Sequence, residues 1–505
     1  MRRPRPTALP AFLHQPGTAP SLGDKPACLE WAAGFHLSTI TPIIGGGVES
    51  AEPDAIDLVR VPGIRGQLRH WWRFLYAEDD EMERPGAAEG LFARESALWG
   101  GLDVAAGDGG KNGSRVSRVR LRVRVDDAGE VLPAGWHEIS HRGKLKTLPR
   151  WALGNRLAYA LFPLQRTAEE RARHRGPQKM ATRPVRQGLR FRLELKVRGE
   201  KPAAEPVAED VRQVLAAVWA WVHLGGLGAR TRRGFGALAL EEPPELGDLD
   251  GLKTEWSSLF RPPGGELGKW WTAFRRAAWP GSEAPPLRFS TTEALAGEPA
   301  PHGDRAHEEL VGLLATFRQG PRVGRDPSRD RRPGESRWPE PDLLRLARAS
   351  GARERKDYDH PPSREAIEAY AGEELGAPRA AFGLPLQVRF KYTDRRDGKA
   401  DATLLPEGSQ RWSSPLLLRP LRTAGGNFTP VIWILGGSRP DEVRIEFAGA
   451  TGKATVKGSA GARDVIAEYL GKAEGDALRA FALWLRDNHR YRPLTGGAGG
   501  RKRHG

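Results

Sequence analysis

Two segments far apart in the chain, "VSRVRLRVRV" (residues 116–125) and "GLRFRLELKVRG" (188–199), alternate apolar with polar or charged side chains at every second position. Successive side chains of an extended chain point to opposite faces, so this period of two requires strands buried on one face only. The layer that covers the buried face must come from elsewhere. In "PGIRGQLRHWWRFLYA" (62–77), Ile64, Leu68, Trp71 and Leu75 recur at helical spacing. "VAEDVRQVLAAVWAWVHL" (207–224) reads as a second amphipathic helix, stopped at Gly225-Gly226. A first strand is expected within 28–44, ending at Thr41-Pro42, and a return strand in "FGALAL" (235–240). The order strand, helix, two strands, helix, strand predicts an α+β fold of the ferredoxin-like kind, with helices on one face of an antiparallel sheet.

Residues 306–495 offer the parts of a second such domain: a helix at 308–318, another from Asp342, strands at 384–392, 430–435 and 443–447, and a last helix near 476–487. The expected organisation is therefore a basic, Pro-rich disordered start (1–27), a first domain (28–243), a connecting segment (244–305), a second domain (306–495) and a disordered tail (496–505). Within the connection, "GKWWTAFRRAAW" reads as a short helix.

The 505 residues carry 79 Lys and Arg against 63 Asp and Glu, a net charge of +16. An arginine-led excess points to a polyanionic partner, because the guanidinium forks onto phosphate oxygens and stacks on bases. No run of eighteen apolar residues and no signal-peptide pattern occurs, so neither a membrane partner nor export is expected, and the location is read as cytoplasmic. Cys28 is the only cysteine, which excludes an internal disulfide and a thiolate zinc site. "DYDH" (357–360) and His302 with Asp304 carry ligand-type side chains without a matching third ligand, so no metal and no cofactor are expected.

The residues read for chemistry are mostly basic. Arg65, Arg69 and Arg73 stand at i, i+4 and i+8, fanning over roughly 80° of one helix face; they are candidates for RNA contact, with pairing to a carboxylate such as Glu95 as the structural alternative. Trp71 is assigned to the core, and Trp72 stands between the two stripes, where it either packs or stacks on a base. "GGLGARTRRGFG" (225–236) places five glycines around Arg230, Arg232 and Arg233. Such a loop permits positive φ and close backbone approach, and N–H groups near Gly226 and Gly228 could form an anion-binding nest. It lacks the spacing of a Walker or Rossmann phosphate loop. The stretch 318–337 holds seven arginines against three acids and contributes Arg337. Lys144, Lys146 and Arg411, beside Trp412, complete the RNA-binding set. His36, His70 and His223 form no evident acid–base pair.

"TPIIGGG", "PGIRGQLRHWWRFLYA", "ESALWGG" (95–101) and "GGLGARTRRGFGAL" together resemble the RAMP (repeat-associated mysterious protein) superfamily of CRISPR systems. With "SRWPEPDLLR" (336–345), "AFGLPLQVRF" (381–390) and "RWSSPLLLRPL" (411–421), the chain is most similar to the first-numbered Cmr subunits of type III-B effector complexes. That resemblance implies two packed ferredoxin-like domains and a non-catalytic place at the head of a ribonucleoprotein. There the subunit would contact crRNA and target RNA, beside the RAMP backbone and the large polymerase-like subunit, with no DNA contact. Two alternatives stay open: a metal-independent, histidine-using repeat-RNA endoribonuclease, and a protein scaffold without direct RNA contact.

Overall fold

The structure is a computed structural model that describes residues 30–47, 51–54, 56–77, 88–102, 114–140, 144–174, 179–199, 206–281, 286–320, 336–349, 376–389, 401–437, 439–447 and 450–494. Its first unit is built from β1 (Glu30–Thr39), α1 (Val61–Tyr76), β2 (Val119–Asp127), β3 (Arg190–Arg198), α2 (Ala208–His223) and β4 (Leu238–Leu240). The strands run in the spatial order β4-β1-β3-β2, and every neighbouring pair is antiparallel. This is the ferredoxin-like βαββαβ arrangement, and the fold is α+β.

Register explains the alternation. Glu30 pairs with Arg198 and Ser38 with Arg190, so Trp31, Phe35 and Leu37 share the buried face with Phe191, Leu193, Leu195 and Val197. The other face carries Arg120, Arg122, Arg124, Arg190, Arg192, Lys196 and Arg198. Much of its charge is matched: Glu30 accepts from Lys196 at 2.9 Å and Arg198 at 2.6 Å, Asp127 from Arg190 and Glu245 from Arg192. A mixed, ion-paired outer face is what the sheet presents.

α1 begins at a proline in its first turn, where the missing N–H costs nothing. Its buried stripe is wider than the spacing predicts, since Trp72 and Phe74 join Ile64, Leu68, Trp71 and Leu75. α2 differs more. Every residue from Val214 to His223 is buried. A helix apolar on all sides needs a cover on its outer side too. Helices α3 (Leu252–Phe260) and α4 (Leu267–Ala278) provide it, with the Trp219 ring stacked on Phe274 at 3.6 Å and tilted against Trp270 at 4.7 Å. The stretch 244–305 is thus more than a connection: it supplies this aromatic layer and then β5 (Glu293–Ala296).

β5 opens the second unit, followed by α5 (Gly303–Gln319), β6 (Leu416–Arg422), β7 (Phe428–Ile434), α6 (Ala477–His489) and β8 (Arg492–Pro493). Its order, β6-β7-β5-β8, is the first sheet's connectivity read from the other edge. A second four-stranded sheet, 386–389, 401–406, 442–447 and 450–455 in that order, is inserted around it. The hairpin of the first unit carries an insertion too, residues 128–189, with two small sheets and short helical turns.

Candidate nucleic-acid interface

The glycine-rich segment 225–236 leaves the end of α2 and folds back on residues 41–44. Ala229 N–H donates to the Ile44 carbonyl at 2.7 Å, Gly236 N–H to Pro42 and Leu227 N–H to Gly236, both at 2.9 Å. Thr41 Oγ1 donates to the Gly234 carbonyl at 2.6 Å. Gly228 and Gly236 have φ of 76° and 61°, and a Cβ on either would collide with the carbonyl oxygen of Ile44 or Leu227. The glycines therefore serve backbone-on-backbone packing, and the N–H groups of Leu227, Ala229 and Gly236 are spent on carbonyls.

What the loop presents is its arginines, aimed at the second unit. Arg232 donates to the Ser414 carbonyl, and Arg233 to the Leu416 carbonyl at 3.2 Å. His307 of α5 bonds the Arg233 carbonyl at 2.7 Å. Carbonyls hold these guanidinium groups without neutralising them. Burial lowers the Arg233 pKa to about 10, which still leaves the group charged at neutral pH. Arg230 sits in the left-handed region with φ 61°, a conformation that costs a non-glycine residue about 1 kcal/mol. Its guanidinium lies over the Phe162 ring, 4.4 Å from the centroid.

Arg230 and Arg233 open onto a cleft of about 1080 Å³ between the two units. Its other walls carry Arg318, Arg379 and Arg411, with Tyr159, Phe162 and Phe382, and among the described residues no aspartate or glutamate lines it. Arg318 donates to the Tyr159 hydroxyl and lies 4.9 Å from the Phe382 centroid. Behind Arg379, the buried Glu340 accepts that residue's backbone N–H at 2.5 Å, and burial raises its carboxyl pKa to about 7. Five arginines thus face this space, with the buried Glu340 carboxyl behind one of them. A smaller cleft of about 320 Å³ is lined by Gly45, Gly46, Gly63, Gly226 and Gly228 with Arg60 and Arg186. There Asp54 pairs with Arg60, and two backbone N–H groups with that arginine hold its pKa down to about 2.

A scan against protein families identifies the region that carries the loop. Residues 36–239 match the RAMP superfamily. The matching segment runs from His36 in β1 to Ala239 in β4, so it takes in most of the first unit and the whole loop, and the second unit lies beyond it. No curated protein matches the chain. Among solved structures, Cmr1 from Pyrococcus furiosus in its apo form aligns at 16% identity over 92% of this chain and 99% of that one, with a TM-score of 0.44. A chain of a Type III-B Cmr-beta structure bound to cognate target RNA aligns at 12% identity over 90% of this chain and 100% of that one, with a TM-score of 0.43.

The remaining sequence-derived candidates of the RAMP segment fall in different places. Glu95, 3% exposed, accepts from both Arg69 and Arg73, at 2.7 Å for the latter, as the structural alternative for these arginines foresees. Arg65 donates to Ser117 Oγ at 2.7 Å and to the Val119 carbonyl at 3.1 Å. These three tie α1 to the helix Ala88–Trp99 and to β2, away from the large cleft. Trp72 is 2% exposed and its Nε1–H donates to Gln213 at 2.8 Å, so base stacking there is excluded. Lys144 and Lys146 are exposed in the loop leading to Leu148, which lines the large cleft. Beyond the RAMP segment, Arg337 donates to the Thr316 carbonyl and lies 3.6 Å from Asp464, outside either cleft lining. Residues 321–335 and the "DYDH" segment lie outside the described residues. Sequence reasoning passed over Arg379 and Phe162, since neither belongs to a basic run or a glycine turn.

The histidines do not converge. His36 faces the outer side of the first sheet, 3.8 Å from Glu245. His223 is buried under the opposite face, where burial and the nearby Arg419 charge push its pKa down to about 3. His70 is exposed on α1 with its ring against Trp71.

Proposed function

We propose that this chain is a non-catalytic RNA-binding subunit of a type III-B CRISPR effector complex, holding crRNA or target RNA by its phosphates in the cleft between its two units. One observation carries the reading: among the described residues, five arginines and no carboxylate line that cleft. Phosphate contacts of this kind position a strand without reading its sequence, so selection falls to guide–target pairing. The assignment to the Cmr type rests on the ordered sequence blocks named above and on the RAMP match. The non-catalytic reading is supported by the separation of His36 from His223, because strand cleavage without metal needs a base and an acid at one scissile bond.

A filter-binding titration of single-stranded RNA against salt tests the cleft. Five neutralised phosphates give a log–log slope of about −3.5, and Arg411→Ala at the exposed rim is expected to reduce its magnitude by about 0.7. A slope near zero refutes the electrostatic account. Incubation of labelled repeat RNA with the protein in EDTA is expected to leave the RNA intact; discrete products favour the endoribonuclease.

A further inference from the structure

Phe162 is 57% exposed and Leu148 70% exposed, and both line the arginine-rich cleft. Single exposed apolar side chains are ordinary on protein surfaces. Two observations set Phe162 apart. Its neighbours in the chain are anchored, since Leu161 and Leu164 are fully buried. The ring is therefore held out into the cleft by a fixed turn. Secondly, the Arg230 guanidinium already lies on it, from a backbone conformation that a glycine would adopt more readily. A planar guanidinium over an aromatic ring is a stack that another flat group can extend, and every nucleobase has such a face. The cleft, at about 1080 Å³, exceeds the usual size of a small-molecule pocket, so it has room for more than one nucleotide.

We propose that Phe162 and Arg230 form a stacking platform for an unpaired base, so that the cleft takes single-stranded RNA with at least one base turned out beside its arginine-held phosphates. The inference rests on the reading of the cleft as an RNA site and adds which form of RNA enters it. A duplex offers phosphates but keeps its bases stacked on one another, and it would have to open to use the ring.

Fluorescence titration of the full-length protein with single-stranded RNA bearing 2-aminopurine at successive positions tests this. One position is expected to change its emission on binding. Phe162→Ala should abolish that change and weaken binding by about 5- to 150-fold. The salt slope should stay as it is, because phenylalanine carries no charge, and Phe162→Tyr should restore both readouts. Unchanged affinity and emission in Phe162→Ala, with Arg411→Ala still flattening the slope, overturns the platform and leaves the electrostatic reading standing. If neither variant alters binding, both readings fall. Equal affinity for single-stranded RNA and a duplex of the same sequence also overturns the platform.

Discussion

Arg419 is 1% exposed, and its terminal N–H groups donate to carbonyls. From β6 it donates to Gly225 at 2.5 Å, to Leu238 at 3.0 Å and to Val222, all in the first unit. Two of these carbonyls lie at the C-terminal end of α2, where the aligned peptide dipoles leave partial negative charge. That end accepts a cation in place of water. Burial pushes the Arg419 pKa down to about 9, so the guanidinium remains charged at neutral pH. Arg419→Met keeps the apolar stem and deletes every donor, leaving three buried carbonyls without this partner. The expected loss is about 3–5 kcal/mol, read as a lower urea midpoint. A loss under about 1 kcal/mol would show that water replaces the guanidinium.

At the scale of elements, the loop 225–236 is the part whose geometry tolerates least. Gly236→Ala combines a φ of 61° with a Cβ that overlaps the Leu227 carbonyl. It is expected to destabilise by about 2–4 kcal/mol in chemical denaturation. Gly264→Ala, with open space around it, should stay within about 0.5 kcal/mol of the parent. Elements of this kind divide by how much of their environment is local. β2 and β3 were readable because one-sided burial writes itself into every second residue. The spacing of α2 predicts an amphipathic helix, although "VLAAVWAWVH" is apolar all round, and only the later helices α3 and α4 explain how such a helix is covered. β5, four residues long as "EALA", carries no strand signal of its own; its pairing with β7 decides it. The glycines of the loop announced unusual φ, but the partners of its N–H groups lie far back in sequence at Pro42 and Ile44. Hence the loop clamps onto residues 41–44, and its Arg230 and Arg233 line the cleft. Arg69 and Arg73 went the other way, because a carboxylate on a separate helix claims them.

Across the whole molecule, the charge of +16 is unevenly neutralised. The outer sheet face is interleaved with acids, whereas among the described residues the cleft between the units is lined by arginine without them. The units also share a core, with Trp271 of α4 set 4.5 Å from Trp433 of β7, so the cleft walls are held by continuous packing. Three of the buried groups show how stability depends on pH. Glu340, with its pKa raised to about 7, favours folding when protonated; that contribution is complete below its ordinary value of 4.5 and is lost as pH rises through 7. His223 and His307, lowered by burial to about 3 and about 4, act oppositely: their contribution is present above 6.5 and is lost as pH falls towards 4. Between pH 4.5 and 6.5 the histidine protons of the unfolded chain thus outweigh the one on folded Glu340, and stability should rise with pH. Glu340→Gln removes the opposing carboxyl from that window, so the slope should steepen by about 1.4 kcal/mol per pH unit, and the decline between pH 6.5 and 7 should vanish. The same variant tests the cleft. Ionisation of Glu340 beside Arg379 and Arg318 places a negative charge behind the RNA phosphates, so affinity in the parent should fall several-fold from pH 6 to pH 8 and stay flat in Glu340→Gln. Parallel pH profiles for the two proteins, in stability and in RNA binding alike, would mean that the carboxyl is ionised throughout and that the arginines around it already absorb its charge.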